Sequence, residues 1–438
     1  MKKVYKAHIL FTKEKDRFEI FENGYIAVEN GIVVGVANSL DELKDQCSNF
    51  NVQDAEVVDF GDKLLIPAMN DMHVHAPQVH NQGVAMDLEL LPWLQNYTFP
   101  EESKYADTAY AECMYRRFIH TQWLFGTMRS VAFGTVHTES TRVLMKLYQE
   151  AGMGALVGKV AMNRNCPEAL CEDVEAAVEG NEKLIAEFNA PSPNTHHPTP
   201  LVRPIITPRF VPSCTPELLK ACGELAKKYQ LPVQSHLSEN TSEIAWVAEL
   251  EPESKSYGDA YNRYGLFGQT PTIMAHCVWT AGSELELMKK NGVMVAHCPT
   301  SNFNLSSGMA PVRNLLDAGI RIGLGSDISG GHDLNMFRML VYAIQVSKMQ
   351  YQQNHDKAFL TLPEIFWIAT KSAGSFFGKV GSFEPGYEFD ALVIDDAVLY
   401  PAEYSLQHRL ERFIYVGDDR QIVHRFCRGQ EIAEPKVF

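Results

Sequence analysis

His73 and His75, separated by Val74 and preceded by the apolar run Leu64-Leu65-Ile66, are the residues of this 438-residue chain with the clearest chemical potential. On a strand, alternate side chains share a face, so two imidazoles can address one metal ion. A metal site needs more than two ligands, and a lone His-x-His pair fits surface or backbone-bonded histidines equally well. Further ligand types stand where later apolar runs end. They are His236 in Ser235-His236-Leu237-Ser238-Glu239-Asn240, His276 before Cys277, His297 before Cys298, and Asp327 after Gly323-Leu324-Gly325-Ser326. Singly, each is ordinarily a core residue; together they point to a metal site. Zinc takes neutral imidazole and carboxylate ligands and leaves one position for water, so His73, His75, His236 and Asp327 form the candidate set for Zn2+, with Fe2+ the alternative. Water acidified by such an ion supplies hydroxide as a nucleophile. Glu239, three residues beyond His236, is placed to shuttle protons without ligating; the competing reading is a solvated loop carboxylate.

Such residues need a scaffold that gathers strand ends. Eight strand candidates alternate with helical stretches: Leu64–His75, Met128–Phe133, Ala155–Ala161, Arg203–Phe210, Pro232–Leu237, Thr272–Cys277, Val293–Cys298 and Arg321–Asp327. Helical spacing recurs in Ala106–Leu124, Asp173–Phe188, Pro216–Tyr229, Ser283–Asn291 and Pro311–Ala318, and Pro216 after Thr215 is a helix-start signal. Eight β/α units predict an α/β fold, a TIM-like (β/α)8 barrel with its site at the C-terminal strand ends. Both chain ends are β-rich instead. The N-terminal segments around Val4–Leu10, Phe18–Phe21, Gly24–Val28 and Ile32–Val36 are matched by Ala391–Ile394, Phe413–Val416 and Gln421–Phe426 near the C-terminus. Neither end has enough strands alone. One small β-sandwich domain built from residues 1–66 and 380–438 is therefore expected, with the barrel over 67–379 inserted between them. The stretch from Asn189 to Pro200, with its four prolines, is a loop, and its His196-His197 pair is not expected to bind metal.

Composition removes several alternatives. A net charge of −15 argues against a nucleic-acid groove, and no apolar run is long enough to span a bilayer. Nine cysteines without a CxxC pair fit reduced thiols in a cytoplasmic protein; Cys277 and Cys298 are expected to pack. A second zinc deaminase chemistry uses H-x-E with a later P-C-x-x-C, and only His137-Thr138-Glu139 is present. Gly323-Leu324-Gly325 lacks the third glycine of a dinucleotide loop.

The array of His73-x-His75, His236, His276 and Asp327, with the Gly381–Asp395 return, resembles the amidohydrolase superfamily of metal-dependent hydrolases and deaminases. Within it, His75-Ala76-Pro77-Gln78, Leu94-Gln95-Asn96-Tyr97-Thr98-Phe99-Pro100, Pro208-Arg209-Phe210 and Ser235–Asn240 resemble the guanine deaminases. His297-Cys298-Pro299-Thr300-Ser301-Asn302 and Gly325–Gly331 extend the likeness over nearly the whole chain. Ala68 and Pro92 depart from residues common in that family, Gly and Glu respectively. The resemblance implies one zinc on His73, His75, His236 and Asp327, proton transfer by Glu239 and Asp327, and a His276 that orients the attacking hydroxide. It implies contacts to the base from Gln78, Trp93, Arg209, Phe210 and Glu239. The implied reaction is attack at C2 of guanine to give xanthine and ammonia, in a cytoplasmic homodimer of purine catabolism. Another aminated purine, a pterin or a related heterocycle is the alternative substrate, and a catalytically dead relative is the alternative class. Binuclear relatives bridge two ions with a lysine at the end of the fourth strand; here that strand ends in Arg209-Phe210, while Lys159 lies on the third, which favours one ion.

Overall fold

Strand residues in this chain either alternate or run continuously apolar, according to whether one or both of their faces are covered. The computed structural model describes residues 2–47, 50–191, 196–355, 357–400 and 404–437. In it, eight short parallel strands form the barrel: Met69–His75, Thr127–Phe133, Gly154–Gly158, Val202–Pro204, Val233–Leu237, Thr272–His276, Met294–His297 and Ile322–Leu324. They pair as two runs of four. Backbone bonds join the runs on both sides. Ile206 N–H donates to Pro232 O (2.9 Å) and Gln234 N–H to Ile206 O (3.0 Å); at the other seam Asp327 N–H donates to His73 O (2.9 Å) and His75 N–H to Ile328 O (3.1 Å). The second seam thus runs through three of the residues singled out for chemistry.

Helices clad the barrel, among them Thr108–Leu124, Thr138–Ala151, Val174–Phe188, Pro216–Tyr229 and Met336–Asn354. Their starts follow from their caps: Asp107, Asp173, Thr215 and Asn335 each accept a backbone N–H of the first turn. Thr138–Ala151 ends on Gly152 with φ 69°, a left-handed position that suits glycine.

The chain ends share one sheet of seven strands, in the spatial order Gln430–Glu431, Ile422–Cys427, Ala391–Ile394, Glu56–Pro67, Lys2–Phe11, Glu19–Glu29, Ile32–Ala37. Register shifts at Ala7/Ile9, Lys6/His8, Ala27/Val28 and Val393/Ile394 bend this continuous sheet around its own core, which includes Tyr5, Ile9, Phe11, Leu65, Phe389 and Phe426. Leu64, Ile66, Leu392 and Ile394 point the other way, into the barrel's core.

Two expectations need correction. Leu64–His75 is not one strand: Leu64 to Pro67 pairs with Ala391–Ile394, and the barrel strand begins at Met69. The break falls at Ala68, whose N–H donates to Asp390 O (3.0 Å). Phe413–Val416 is not a strand but the end of the helix Leu406–Val416, which buries Arg409, Leu410, Phe413 and Ile414 at helical spacing. Residues 192–195 of the Asn189–Pro200 loop lie outside the described residues. His197 in that loop donates to Asn30 O (2.7 Å) and is in no metal-capable group among the described residues.

Candidate active site and metal centre

Each candidate ligand stands where a barrel strand turns into a loop. His73 and His75 close the first strand, His236 lies near the end of the fifth, His276 ends the sixth, and Asp327 follows the eighth. His276 and Asp327 have φ of 72° and 48°. A non-glycine residue in that region carries strain of about 1–3 kcal/mol, and here both side chains face the cluster.

The donor atoms converge. His75 Nε2 lies 3.1 Å from His236 Nε2. Asp327 Oδ1 lies 3.1 Å from His73 Nε2 and 3.5 Å from His75 Nε2. His236 donates its Nδ1 proton to Arg209 O (2.6 Å), so its Nε2 carries a lone pair aimed at His75. His73 Nε2 is buried, with the Asp327 carboxylate beside it. A cation among these nitrogens and the carboxylate would engage the lone pairs of several of them at once. Ligands about 2.0–2.2 Å from a tetrahedral ion stand about 3.3–3.6 Å apart; one of these separations falls in that range and the other two are slightly shorter. The residues therefore fit a divalent cation.

Burial lowers the basicity of His73, and lowers that of His75 and His236 strongly, keeping all three neutral as ligands must be. Burial opposes the charge on Asp327, but His73, His276 and His75 outweigh it and hold the carboxyl far below its ordinary range.

Beside the cluster, His276 donates its Nδ1 proton to Asn302 Oδ1 (2.9 Å). Its Nε2 then faces Glu239 Oε2 (3.4 Å) and Asp327 Oδ2 (3.7 Å). Burial works against its charge, yet these carboxylates raise its pKa overall. Glu239 is pushed up to about 7 by burial, with His276 opposing and Glu243 and Asp327 adding to the rise. Ser307 Oγ donates to Glu239 Oε1 (3.0 Å).

A pocket opens onto the cluster, lined by His75, His236, Glu239, His276 and Asp327 at its floor and by Gln78, Arg209, Phe210, Trp93, Leu90 and Leu305 on its walls. The residues singled out in the sequence for substrate contact thus all line one cavity. His297 does not join them: it is buried with neither ring nitrogen partnered, and it belongs to no metal-capable group among the described residues. Burial pushes the thiols of Cys277 and Cys298 well up, although Cys298 Sγ lies within 4.8 Å of donor atoms of His276 and Asp327. Lys159 is buried against Glu172 (Nζ to Oε2 2.6 Å) and packs beside Gly180 of the surrounding helix.

Several residues that support this site carry no evident chemical signal in the sequence. Asp71 accepts from Ser326 N–H (3.0 Å), from Ser326 Oγ and from His73 N–H (3.3 Å), tying the first strand to the eighth. Glu243 accepts from the N–H groups of Glu239 (3.1 Å) and Asn240 (3.3 Å). Glu102 accepts from Gln78 Nε2 (2.7 Å) and takes a two-pronged pair from Arg209. It lies two residues past Pro100, in a Glu101-Glu102 doublet that looks like ordinary surface charge; only its place after the Tyr97–Pro100 motif could have marked it.

Comparison with known proteins agrees with this geometry. The model of the Amidohydrolase family matches residues 64–432. The chain belongs to the amidohydrolase family. A guanine deaminase of Dictyostelium discoideum is 36% identical over 448 aligned positions, covering 98% of each chain. The guanine deaminase of Escherichia coli K12 is 33% identical, covering 86% of this chain and 85% of that one. Among solved structures, the guanine deaminase of C. acetobutylicum, with guanine bound in its active site, is 48% identical and superposes with a TM-score of 0.93, covering 99% of this chain and 100% of that one. This amidohydrolase is thus a hydrolase of a metal-dependent family, with a His/Asp cluster able to hold the ion.

Proposed function

We propose that this amidohydrolase hydrolyses guanine to xanthine and ammonia with one zinc ion held by His73, His75, His236 and Asp327. The observation that carries the reading is the shared cavity. The Arg209–Gln78 pair and the Phe210 and Trp93 rings line the same pocket whose floor is the ligand cluster. A planar purine offers a carbonyl and ring nitrogens to a guanidinium and an amide, and a flat face to an aromatic ring. The 48% identical relative with guanine in its active site supports the same substrate.

When bound, the ion supplies a Lewis acid that acidifies a coordinated water towards neutrality. The chain does the rest. Arg209, Gln78, Phe210 and Trp93 hold the base so that C2 faces the floor. Glu239, with a carboxyl near neutrality in its affinity for protons, takes one proton from the attacking water and hands it to the ring nitrogen; it then takes the remaining proton of the added hydroxyl and passes it to the departing amine, leaving a carbonyl at C2. His276, oriented by Asn302, directs the nucleophile and supports charge on the tetrahedral carbon's oxygen, and Asp327 assists the proton transfer. The ion pair of Lys159 with Glu172 supports one ion rather than a lysine-bridged two. The free thiols of all nine cysteines support a cytoplasmic setting, and a homodimer is carried over from the family resemblance.

The test is ammonia release from guanine, adenine and cytosine alongside metal analysis of the same preparation. Release from guanine with about one zinc per chain is expected. No release from guanine but rapid release from another base sinks the substrate, and two zinc ions per chain in fully active protein sinks the single-ion reading.

A further inference from the structure

Behind the pocket wall, Arg209 is held in a buried charge pair with Glu102, which does not itself line the pocket. Arg209 and Glu102 are each about 97% buried, with side-chain exposures of 3% and 3%. The carboxylate takes both terminal nitrogens of the guanidinium, Nη1 to Oε2 and Nη2 to Oε1 (3.1 Å). Its Oε1 also accepts from Gln78 Nε2 (2.7 Å). The other end of the Gln78 amide accepts the N–H of Ser329 (3.0 Å), which fixes which end is oxygen. Phe99, three residues before Glu102, lies under the guanidinium (5.1 Å to its ring centroid). Arg209 and Gln78 are therefore not free arms; one carboxylate sets the orientation of both.

The consequence is electrostatic as well as geometric. An uncompensated guanidinium in a buried pocket attracts anions strongly, because little solvent screens it. With Glu102 in place, its charge is cancelled locally. The wall then offers only directed N–H donors: the second hydrogen of the Gln78 amide and the guanidinium hydrogens left over from Glu102. Neutral donors suit the carbonyl oxygen and ring nitrogens of an uncharged base. They do not suit a purine that has lost a proton. Xanthine, the product, is more acidic than guanine and is partly anionic near neutral pH.

We propose that Glu102 is a positioning and specificity-determining residue: by cancelling the charge of Arg209 and orienting Gln78, it makes the pocket select neutral purines and discriminate against anionic ones, product included. This inference rests on the guanine reading. The wild-type enzyme must first release ammonia from guanine; if it does not, that reading fails and Glu102 is not yet at issue.

Given active wild type, the experiment measures competitive inhibition by hypoxanthine, a neutral purine, and urate, an anionic one, at pH 7.5. Wild type should bind hypoxanthine at least about tenfold tighter than urate. In Glu102→Gln the KM for guanine should rise at least about tenfold with a smaller change in kcat, because positioning is lost from the bound ground state. The urate-to-hypoxanthine preference should move towards urate by at least about tenfold as the guanidinium is unmasked. The double variant Glu102→Gln/Arg209→Gln, which removes both charges, should lose that shift. A purely structural role for Glu102 predicts instead that both inhibitors weaken in parallel, and that result overturns the proposal. If Glu102→Gln does not fold, the wild-type ratio decides: urate binding as well as hypoxanthine overturns it.

Discussion

At the residue scale, the site depends on groups that fail in different ways when removed. His236 is anchored by its Nδ1 to Arg209 O and offers Nε2 to the cluster, so His236→Ala should lose metal and turnover together. Elemental analysis and ammonia release on one preparation would show both; full metal content in an inactive His236→Ala would remove it from the ligand set. Glu239 faces His276 rather than the centre of the cluster. Glu239→Gln keeps the shape and the Ser307 contact and should retain metal while turnover falls about 10²- to 10⁴-fold, the range of general acid–base contributions. Near-normal turnover would end the shuttle assignment.

At the scale of elements, the seventh barrel strand ends on a histidine that no partner satisfies. Burial lowers the His297 pKa to about 3, with His276 adding to the fall. A histidine with a depressed folded pKa gives full stability above its ordinary value of about 6.5 and loses it as pH falls towards the folded value. Between pH 7.5 and 4.5 His297 should cost the fold about 2–3 kcal/mol, at about 1.4 kcal/mol per pH unit below 6.5. His297→Leu should therefore flatten the acid side of the stability curve in denaturant titrations; parallel curves for variant and wild type would refute this. The same strands show what a sequence discloses. Histidine and aspartate at strand ends are legible because each is costly to bury without a function, so their recurrence carries meaning. Glu102 is not legible, because an acidic doublet on a short helix looks solvated until the fold buries it against Arg209. Phe413 to Val416 mislead because aromatic and β-branched residues suit strands, while the helix stripe from Arg409 to Ile414 is visible only over a longer window. Leu64 to His75 merge because both faces of the sheet at Leu64–Ile66 are covered, which erases the alternation that would mark a boundary.

At the scale of the whole molecule, the four candidate ligands come from the ends of three strands, the first, fifth and eighth, and the closing seam passes between His73 and Asp327. A bound ion therefore links parts of the fold that are far apart in sequence. Ion binding to the folded state alone stabilises by about 4 kcal/mol when free metal is a thousandfold above its Kd. Chelation should lower the Tm by several degrees, and stoichiometric zinc should restore it. A Tm that stays constant while metal is demonstrably removed would mean that the cluster does not couple to the fold.

The terminal sheet carries a consequence for biosynthesis. Glu56–Pro67 is flanked by Lys2–Phe11 on one side and by Ala391–Ile394 on the other. On the ribosome, the second neighbour emerges only after the entire barrel sequence, a wait of roughly 15–65 seconds at ordinary elongation rates. Throughout that interval the nascent chain bears an open strand edge with Leu64, Leu65 and Ile66 on it, the kind of surface that invites pairing with another chain. Pairing between nascent chains on one polysome is thus an expected route to insolubility, and slower synthesis at lower temperature lengthens the exposure while weakening the hydrophobic attraction behind it.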